Sequence, residues 1–231
     1  MLNNENKYQQ QKHDSKLSIR KKIYLSIRTV VDFLIALVAV LILIIPFIII
    51  AIVIKIDSPG PVFFKHKRIG KKGKEYTFLK FRSMSVLAQP DVSPNEFEDV
   101  DFYITRVGSF LRKTSLDELP QLLLVLSGKM SIIGYRPAQK IEVELDSERA
   151  KLNIYQIKPG ITGWAQVNGR DILAATPTKK AKFDCYYVNN VSLWLDIKIF
   201  FKTIVIVLRR KDYKEGKIET NILAEQNNNE T

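Results

Sequence analysis

Two adjacent carboxylates, Asp117 and Glu118, are the residues of this chain best suited to chemistry. They lie in Thr114-Ser115-Leu116-Asp117-Glu118-Leu119-Pro120-Gln121-Leu122, behind the cations Arg106, Arg112 and Lys113 and ahead of an apolar run from Leu122 to Leu126. Paired carboxylates can hold a divalent metal ion, and nearby cations can hold phosphate. Phosphate chemistry with a metal ion is one use of such a stretch. The other use is architectural. Ser115-x-x-Glu118 satisfies the capping-box pattern, and acidic residues favour the positive end of a helix. Pro120 fits a first helical turn, where its missing donor goes unpunished. Ser115 and Asp117 both qualify as the N-cap. The stretch alone favours a capped helix start over catalysis.

Composition narrows the partners. The 231 residues carry a net charge of +12 and a pI near 9.6. That balance favours anions: phospholipid headgroups, nucleotides, sugar phosphates or nucleic acid. The single cysteine, Cys185, excludes an intrachain disulfide framework and fits a reducing, cytoplasmic face. Two histidines, His13 and His66, are too few for a His-rich zinc site. The chain contains no Walker A loop, no G-x-G-x-x-G, no paired C-x-x-C and no serine nucleophile elbow. It also shows no RNA- or DNA-binding motif, so nucleic acid is not an expected partner.

The elements that would position the carboxylates begin with a membrane segment. Residues 1–22 read as a polar, then basic, disordered tail. Within the segment expected over 23–55, every residue from Phe33 to Ile54 is apolar except Pro46. About 20 apolar residues suffice to cross the hydrocarbon as a helix. The run is too long for a signal peptide and too uniformly apolar for a soluble core helix. Both flanks are basic: Lys16, Arg20, Lys21, Lys22 and Arg28 before it, Lys55, Lys65, Lys67, Arg68 and Lys71 after it. Positive residues prefer the cytoplasm. A helix broken at Pro46 could dip into one leaflet and return, leaving both clusters inside. Asp32 is expected at the interface.

The remaining stretch, 56–210, reads as a mainly helical α/β domain. Asp57-Ser58-Pro59-Gly60-Pro61 is a rigid turn. A small β-hairpin follows, with Val62-Phe63-Phe64 opening one strand, Gly70 to Gly73 as the loop and Tyr76 to Met84 as the return. Period-two alternation puts Lys80 and Arg82 side by side on one face. Val86 to Tyr103 is an acidic surface loop. Ala138 to Asn153 reads as a charged helix, Ala165-Gln166-Val167 as a short strand and Lys179 to Tyr187, with Asp184, as a helix. Leu193, Trp194, Ile197, Phe200, Phe201, Ile204 and Leu208 recur at helical spacing, with Lys198, Lys202 and Arg209 opposite. That face can lie in a membrane interface or pack on the core. Residues 211–231 read as a disordered tail.

In order, these motifs resemble the bacterial sugar transferase family, whose members are monotopic phosphoglycosyl transferases. The matching strings are Gly60-Pro61-Val62-Phe63-Phe64-Lys65, Lys80-Phe81-Arg82-Ser83-Met84, Leu111 to Leu122, Ser131-Ile132-Ile133-Gly134 with Arg136-Pro137, Lys158 to Gly163, Gln166-Val167-Asn168-Gly169-Arg170, and Tyr187-Val188 leading to Ser192-Leu193-Trp194-Leu195-Asp196. Each is weakly specific; together they are very specific.

The resemblance implies that a sugar 1-phosphate passes from a UDP-sugar to undecaprenyl phosphate at the inner membrane, releasing UMP. It implies an aspartyl-phosphosugar intermediate and magnesium. Asp117 would be the nucleophile and Glu118 its partner at the metal. Arg112, Lys80 and Arg82 would lie at the phosphates, Arg170 and Arg136 at the nucleotide, and Asp184 would be a supporting carboxylate. The family's membrane segment is a re-entrant helix, in agreement with the flanking charge. The chain resembles the family's minimal form. It departs from the usual pattern at Ile45 before Pro46, at Tyr135 before Arg136-Pro137, at Asp171, and in the absence of a tryptophan between Ala174 and Lys180. Glucose, galactose, N-acetylgalactosamine and diacetamido-trideoxy sugars all fit these motifs. No motif specifies an oligomeric state. Composition alone would also allow a non-enzymatic, membrane-anchored module that binds anionic lipids or acidic partners.

Overall fold

The computed structural model describes residues 17–86, 100–168 and 176–209. The tail expectations for 1–16 and 211–231, most of the acidic loop and the Asn-Gly-Arg turn with Arg170 lie outside these residues.

The first element, α1 (Ile19–Asp57), is one 39-residue helix. At ~1.5 Å per residue it is about 58 Å long, against a hydrocarbon core of about 30 Å. Ser18 caps it by accepting from the Lys21 N–H at 3.4 Å. The expected break at Pro46 is corrected here: the helix continues through the proline. Proline removes one backbone hydrogen bond, but Ile45 and Phe47 beside it carry no polar group that could satisfy a broken turn. Most of α1 presents bare apolar surface, including Leu34, Leu41, Ile42, Ile45 and Ile49. Its buried residues are Arg28, Asp32, Ala36 and Ile54, so the domain grips it near both ends.

Strands β1 (Phe63–Ile69) and β2 (Glu75–Phe81) form the expected antiparallel hairpin, with Phe64 opposite Lys80 and Arg68 opposite Tyr76. A 3-10 turn, Lys71–Gly73, closes it, with Lys72 in the left-handed region at φ 60°. After α2 (Val100–Tyr103) comes α3 (Arg106–Thr114), capped by Thr105 accepting from the Gly108 N–H at 2.9 Å. Gly108 lets α3 lie against the end of the hairpin: a Cβ there would sit 1.9 Å from the Ser83 carbonyl oxygen.

A 3-10 turn, Leu116–Glu118, leads to α4 (Gln121–Leu126) and β3 (Ser131–Ile133). Then follow α5 (Val143–Lys151), a 3-10 turn Ile154–Gln156, β4 (Gly160–Thr162), α6 (Trp164–Val167), α7 (Pro177–Asn190) and α8 (Leu193–Arg209). The strand expected at 165–167 is instead a helical turn, Trp164–Val167, in which the Val167 N–H donates to the Gly163 carbonyl at 3.2 Å. The charged helix expected over 138–153 is confined to α5. Parallel pairing of β3 with β4, Ser131 opposite Gly160, makes a second small sheet.

Three apolar clusters hold the domain. The largest joins Tyr135, Leu145, Ile154, Ile157, Tyr187, Leu195 and Ile199. A second packs Ala36 of α1 with Tyr76, Phe78, Leu124 and Met130. The third packs Ile54 of α1 with Phe81 and Leu111, and Leu116 and Leu119 join it. On α8 the core face is Leu195, Asp196 and Ile199, while Trp194 and Phe201 are 76% and 62% exposed. The aromatic face of α8 therefore does not pack on the core.

Candidate active site

The carboxylate stretch folds differently from the capping box its sequence suggests. Ser115 sits at φ 58° as the left-handed C-cap of α3, its N–H donating to the Arg112 carbonyl, and its side chain makes no cap hydrogen bond. Asp117 and Glu118 occupy the 3-10 turn between two helices, and Pro120 opens α4 in helical geometry. The flanking leucines explain why. Leu116 and Leu119 must both reach the cluster of Ile54, Phe81 and Leu111. Three residues per turn place them on one face and leave the carboxylates on the other. A non-glycine residue in the left-handed region costs about 1 kcal/mol or more and is concentrated at functional turns.

Lys80, on β2, bridges the pair. Its Nζ lies 3.3 Å from Asp117 Oδ2 and 3.0 Å from Glu118 Oε1. Arg136 adds a second cation, with Nη1 3.2 Å from the same Glu118 oxygen. Asp117 is buried and Glu118 half-buried. Arg112 stands on the last turn of α3, where its Nε donates to Ser83 Oγ at 2.9 Å.

Arg68 is a cation that spacing did not single out. Its guanidinium lies over the Phe78 ring at 5.2 Å and donates to the Pro137 carbonyl at 3.1 Å, holding the loop that carries Arg136. Burial, and then the neighbouring Arg136, pushes Arg68 down to about 10, so it stays protonated at neutral pH. Only the cross-strand register, Arg68 opposite Tyr76, places it here.

Two expected site residues have other surroundings. Arg82 lies one residue past β2, and its guanidinium donates to the carbonyls of Ile54, Ser58 and Pro59 at the end of α1. It is buried there and does not share the surroundings of Lys80. Asp184, fully buried on α7, accepts from Arg149 Nε at 3.0 Å and from Arg149 Nη2. Arg170 lies outside the described residues.

Glu118 also lines a groove of about 220 Å³ with Ser115, Leu122, Ile161, Thr203 and Ile206. Its wall is largely apolar and leads to the exposed face of α8. The arrangement can do one thing readily: hold a dianionic group over a carboxylate, with cations on one side and apolar surface on the other. No cluster of three or more metal-ligating side chains occurs among the described residues.

Fold and site together define a mainly helical domain that carries one long apolar helix and a cation-braced carboxylate pair at a helix junction. The chain belongs to the bacterial sugar transferase family, whose model matches residues 23–210. It is 38% identical over 201 residues to the UDP-N-acetylgalactosamine-undecaprenyl-phosphate N-acetylgalactosaminephosphotransferase of Aeromonas hydrophila, covering 85% of this chain and 47% of that protein. It is 45% identical over 172 residues to the UDP-glucose:undecaprenyl-phosphate glucose-1-phosphate transferase of Xanthomonas campestris pv. campestris, covering 70% of this chain and 34% of that protein. The exopolysaccharide production protein ExoY of Rhizobium meliloti is 39% identical over 198 residues, covering 79% of this chain and 86% of that protein. The chain thus spans less than half the length of the first two relatives.

Proposed function

We propose that this protein transfers a sugar 1-phosphate from a UDP-sugar to undecaprenyl phosphate at the cytoplasmic face of the membrane, releasing UMP. The observation that carries the reading is the Asp117–Glu118 pair, bridged by Lys80, with Glu118 also held by Arg136 and lining an apolar groove. A polyprenyl phosphate needs both halves of that arrangement: cations for its phosphate and apolar surface for its chain. The names of the matched relatives point the same way.

In the first displacement an Asp117 carboxylate oxygen attacks the sugar-bearing phosphorus. The bond from that phosphorus to the bridging oxygen breaks, and UMP leaves with the electron pair. In the second, an oxygen of undecaprenyl phosphate attacks the same phosphorus, the acyl phosphate bond breaks, and the Asp117 carboxylate returns. A carboxylate repels an incoming diphosphate. Lys80 and Arg136 offset that repulsion, because fixed cations in a half-buried site act without reorganising. Arg68 keeps the Arg136 loop in place.

The site fits magnesium. Asp117 and Glu118 offer hard carboxylate oxygens, and both converge on the Lys80 ammonium, so the position between them already suits a cation. Asp117 and Glu118 would hold the ion, which when bound would neutralise phosphate charge.

Membrane insertion of α1 is part of the same proposal. Both of its ends dock on one domain. Arg28 donates to Asp196 at 3.0 Å, Asp32 accepts from Ser131, and Asp57 accepts from the Val107 N–H at 3.2 Å. A straight crossing would carry one end away from that domain to the far side of the bilayer. A helix that stays on the side it entered keeps both ends on that domain, and the exposed aromatic face of α8 lies in the same interface.

The test is UMP release by the detergent-purified protein given undecaprenyl phosphate, magnesium and a panel of UDP-sugars. We expect release with one or more donors. In Asp117→Asn it should fall by about 10³-fold or more while membrane association is kept. Absence of UMP across the panel, or near-normal turnover in Asp117→Asn, would remove the assignment.

A further inference from the structure

A second charged cleft lies at the other end of the hairpin from the carboxylates. It is lined by Lys22, Ser26 and Thr29 of α1, by Lys71 and Lys72 at the hairpin tip, and by Lys158, and it holds about 720 Å³. None of the residues lining it belongs to the carboxylate site. From Glu75 to Lys80 the strand advances five residues, about 17 Å at ~3.3 Å each. Arg28 also borders the cleft, but Asp196 and Asp32 neutralise it. No acidic side chain lines the cleft, and among the described residues its four lysines make no ion pair.

Four lysines line this one space, Lys22, Lys71 and Lys72 at its exposed rim and Lys158 half-buried in its wall. Burial, then Lys71, pushes the Lys158 ammonium below its ordinary value. An anion in the cleft would relieve the repulsion.

The surface beside the cleft says what kind of anion. On α1, next to Ser26 and Thr29, the exposed residues are Ile27, Val30, Val31, Leu34 and Val38. This is where the apolar run begins, so the cleft sits at headgroup level if α1 enters a bilayer. We propose that the cleft binds the phosphate of an anionic phospholipid, whose acyl chains lie along Ile27 to Val38 of α1. A headgroup carrying its own ammonium would bring a further cation among the lysines, whereas phosphatidylglycerol would not. A soluble phosphate would leave the adjoining apolar face unused. The proposal rests on insertion of α1 but not on the transfer reaction, and its readout is lipid binding rather than turnover.

The experiment is native mass spectrometry of the full chain in detergent, titrated with phosphatidylglycerol or phosphatidylcholine. The comparison is between wild type, the cleft variant Lys71→Gln/Lys72→Gln/Lys158→Gln, and a charge-matched control, Lys65→Gln/Lys67→Gln/Lys140→Gln, on the hairpin and its neighbouring loop. Each lysine near an anionic headgroup contributes about fivefold to affinity. Wild type and control should prefer phosphatidylglycerol, and the cleft variant should lose about tenfold or more of that preference. A cleft variant that keeps the preference, or a control that loses as much, overturns the proposal. So does inorganic phosphate alone, if it raises the thermal midpoint of wild type as much as phosphatidylglycerol does, because the site would then take a soluble anion. Circular dichroism checks the fold of each variant. Lys72→Glu, at the exposed hairpin tip, repeats the comparison if the triple variant is poorly folded, with the same two readings.

Discussion

Lys80 is the residue whose role is most sharply defined by geometry. Its ammonium bridges Asp117 and Glu118, and without it two neighbouring carboxylates would face an incoming phosphate with one cation fewer. Lys80→Met keeps the length of the side chain and removes the charge. UMP release should fall about 10²-fold or more, the usual cost of losing one preorganised electrostatic partner. Some loss of stability is expected as well, because the buried Asp117 carboxylate loses an ion-pair partner. A fall in UMP release that only tracks the folded fraction seen by circular dichroism would make Lys80 a structural residue instead. Asp184 presents the opposite case. Its partner Arg149 is fully buried. Arg149→Met leaves an unpaired buried carboxylate and should cost about 3–5 kcal/mol in chemical denaturation. The double change Arg149→Met/Asp184→Leu should recover most of that loss. Failure of the double variant to recover would argue against a purely structural pair.

At the scale of elements, the segment before α5 is held by charge. Glu142 accepts from the Gln139 N–H at 2.6 Å and lies 3.3 Å from Lys180 and 3.8 Å from Arg68. Burial pushes its carboxyl up, but Lys180, the Gln139 N–H and Arg68 together outweigh burial and hold it below its ordinary 4.5. A carboxyl depressed in the folded state stabilises fully above its unfolded value. That contribution is lost as the pH falls from about 4.5 through the folded value. Wild type should therefore lose stability over that window, and Glu142→Gln should show a shallower acid limb in thermal melts taken from pH 6 to pH 3. An unchanged limb would mean that Glu142 is not the group responsible.

At the scale of the whole molecule, α1 and the domain form one body. Arg28, Asp32, Ser131, Tyr187 and Asp196 make a buried polar network at one end of the helix, and Arg82 and Val107 engage the other. With α1 inserted as proposed, those two attachments to one domain place both of its ends on the same side of the bilayer. In a Cys185→Ser background, single cysteines at Lys22 and Lys74 should both react with an impermeant maleimide in inverted vesicles, and neither should react in intact spheroplasts. Labelling from opposite sides would mean that the helix crosses straight through.

What the sequence alone determined follows from features that need no partner. The apolar run announces a long apolar helix because hydrophobicity over about 20 residues is a property of the segment itself. The hairpin, α7 and α8 follow from local periodicity and turn residues. Asp117 and Glu118 are marked by adjacency, and the family by the order of its motifs. Tertiary structure decided the rest. The 3-10 turn at Leu116–Glu118 replaces a capped helix start because Leu116 and Leu119 answer to Ile54 and Phe81, residues 35 or more positions away. Lys80 and Arg82 share a strand pattern but not a destination, since the strand ends between them and the open carbonyls at the end of α1 claim Arg82. Asp184 is committed by Arg149, and Arg68 reaches the site only through its cross-strand register. The exposed aromatic face of α8 and the two-ended grip on α1 likewise depend on which surfaces the core leaves uncovered. Local pattern specifies which residues can do chemistry; long-range packing specifies which of them meet.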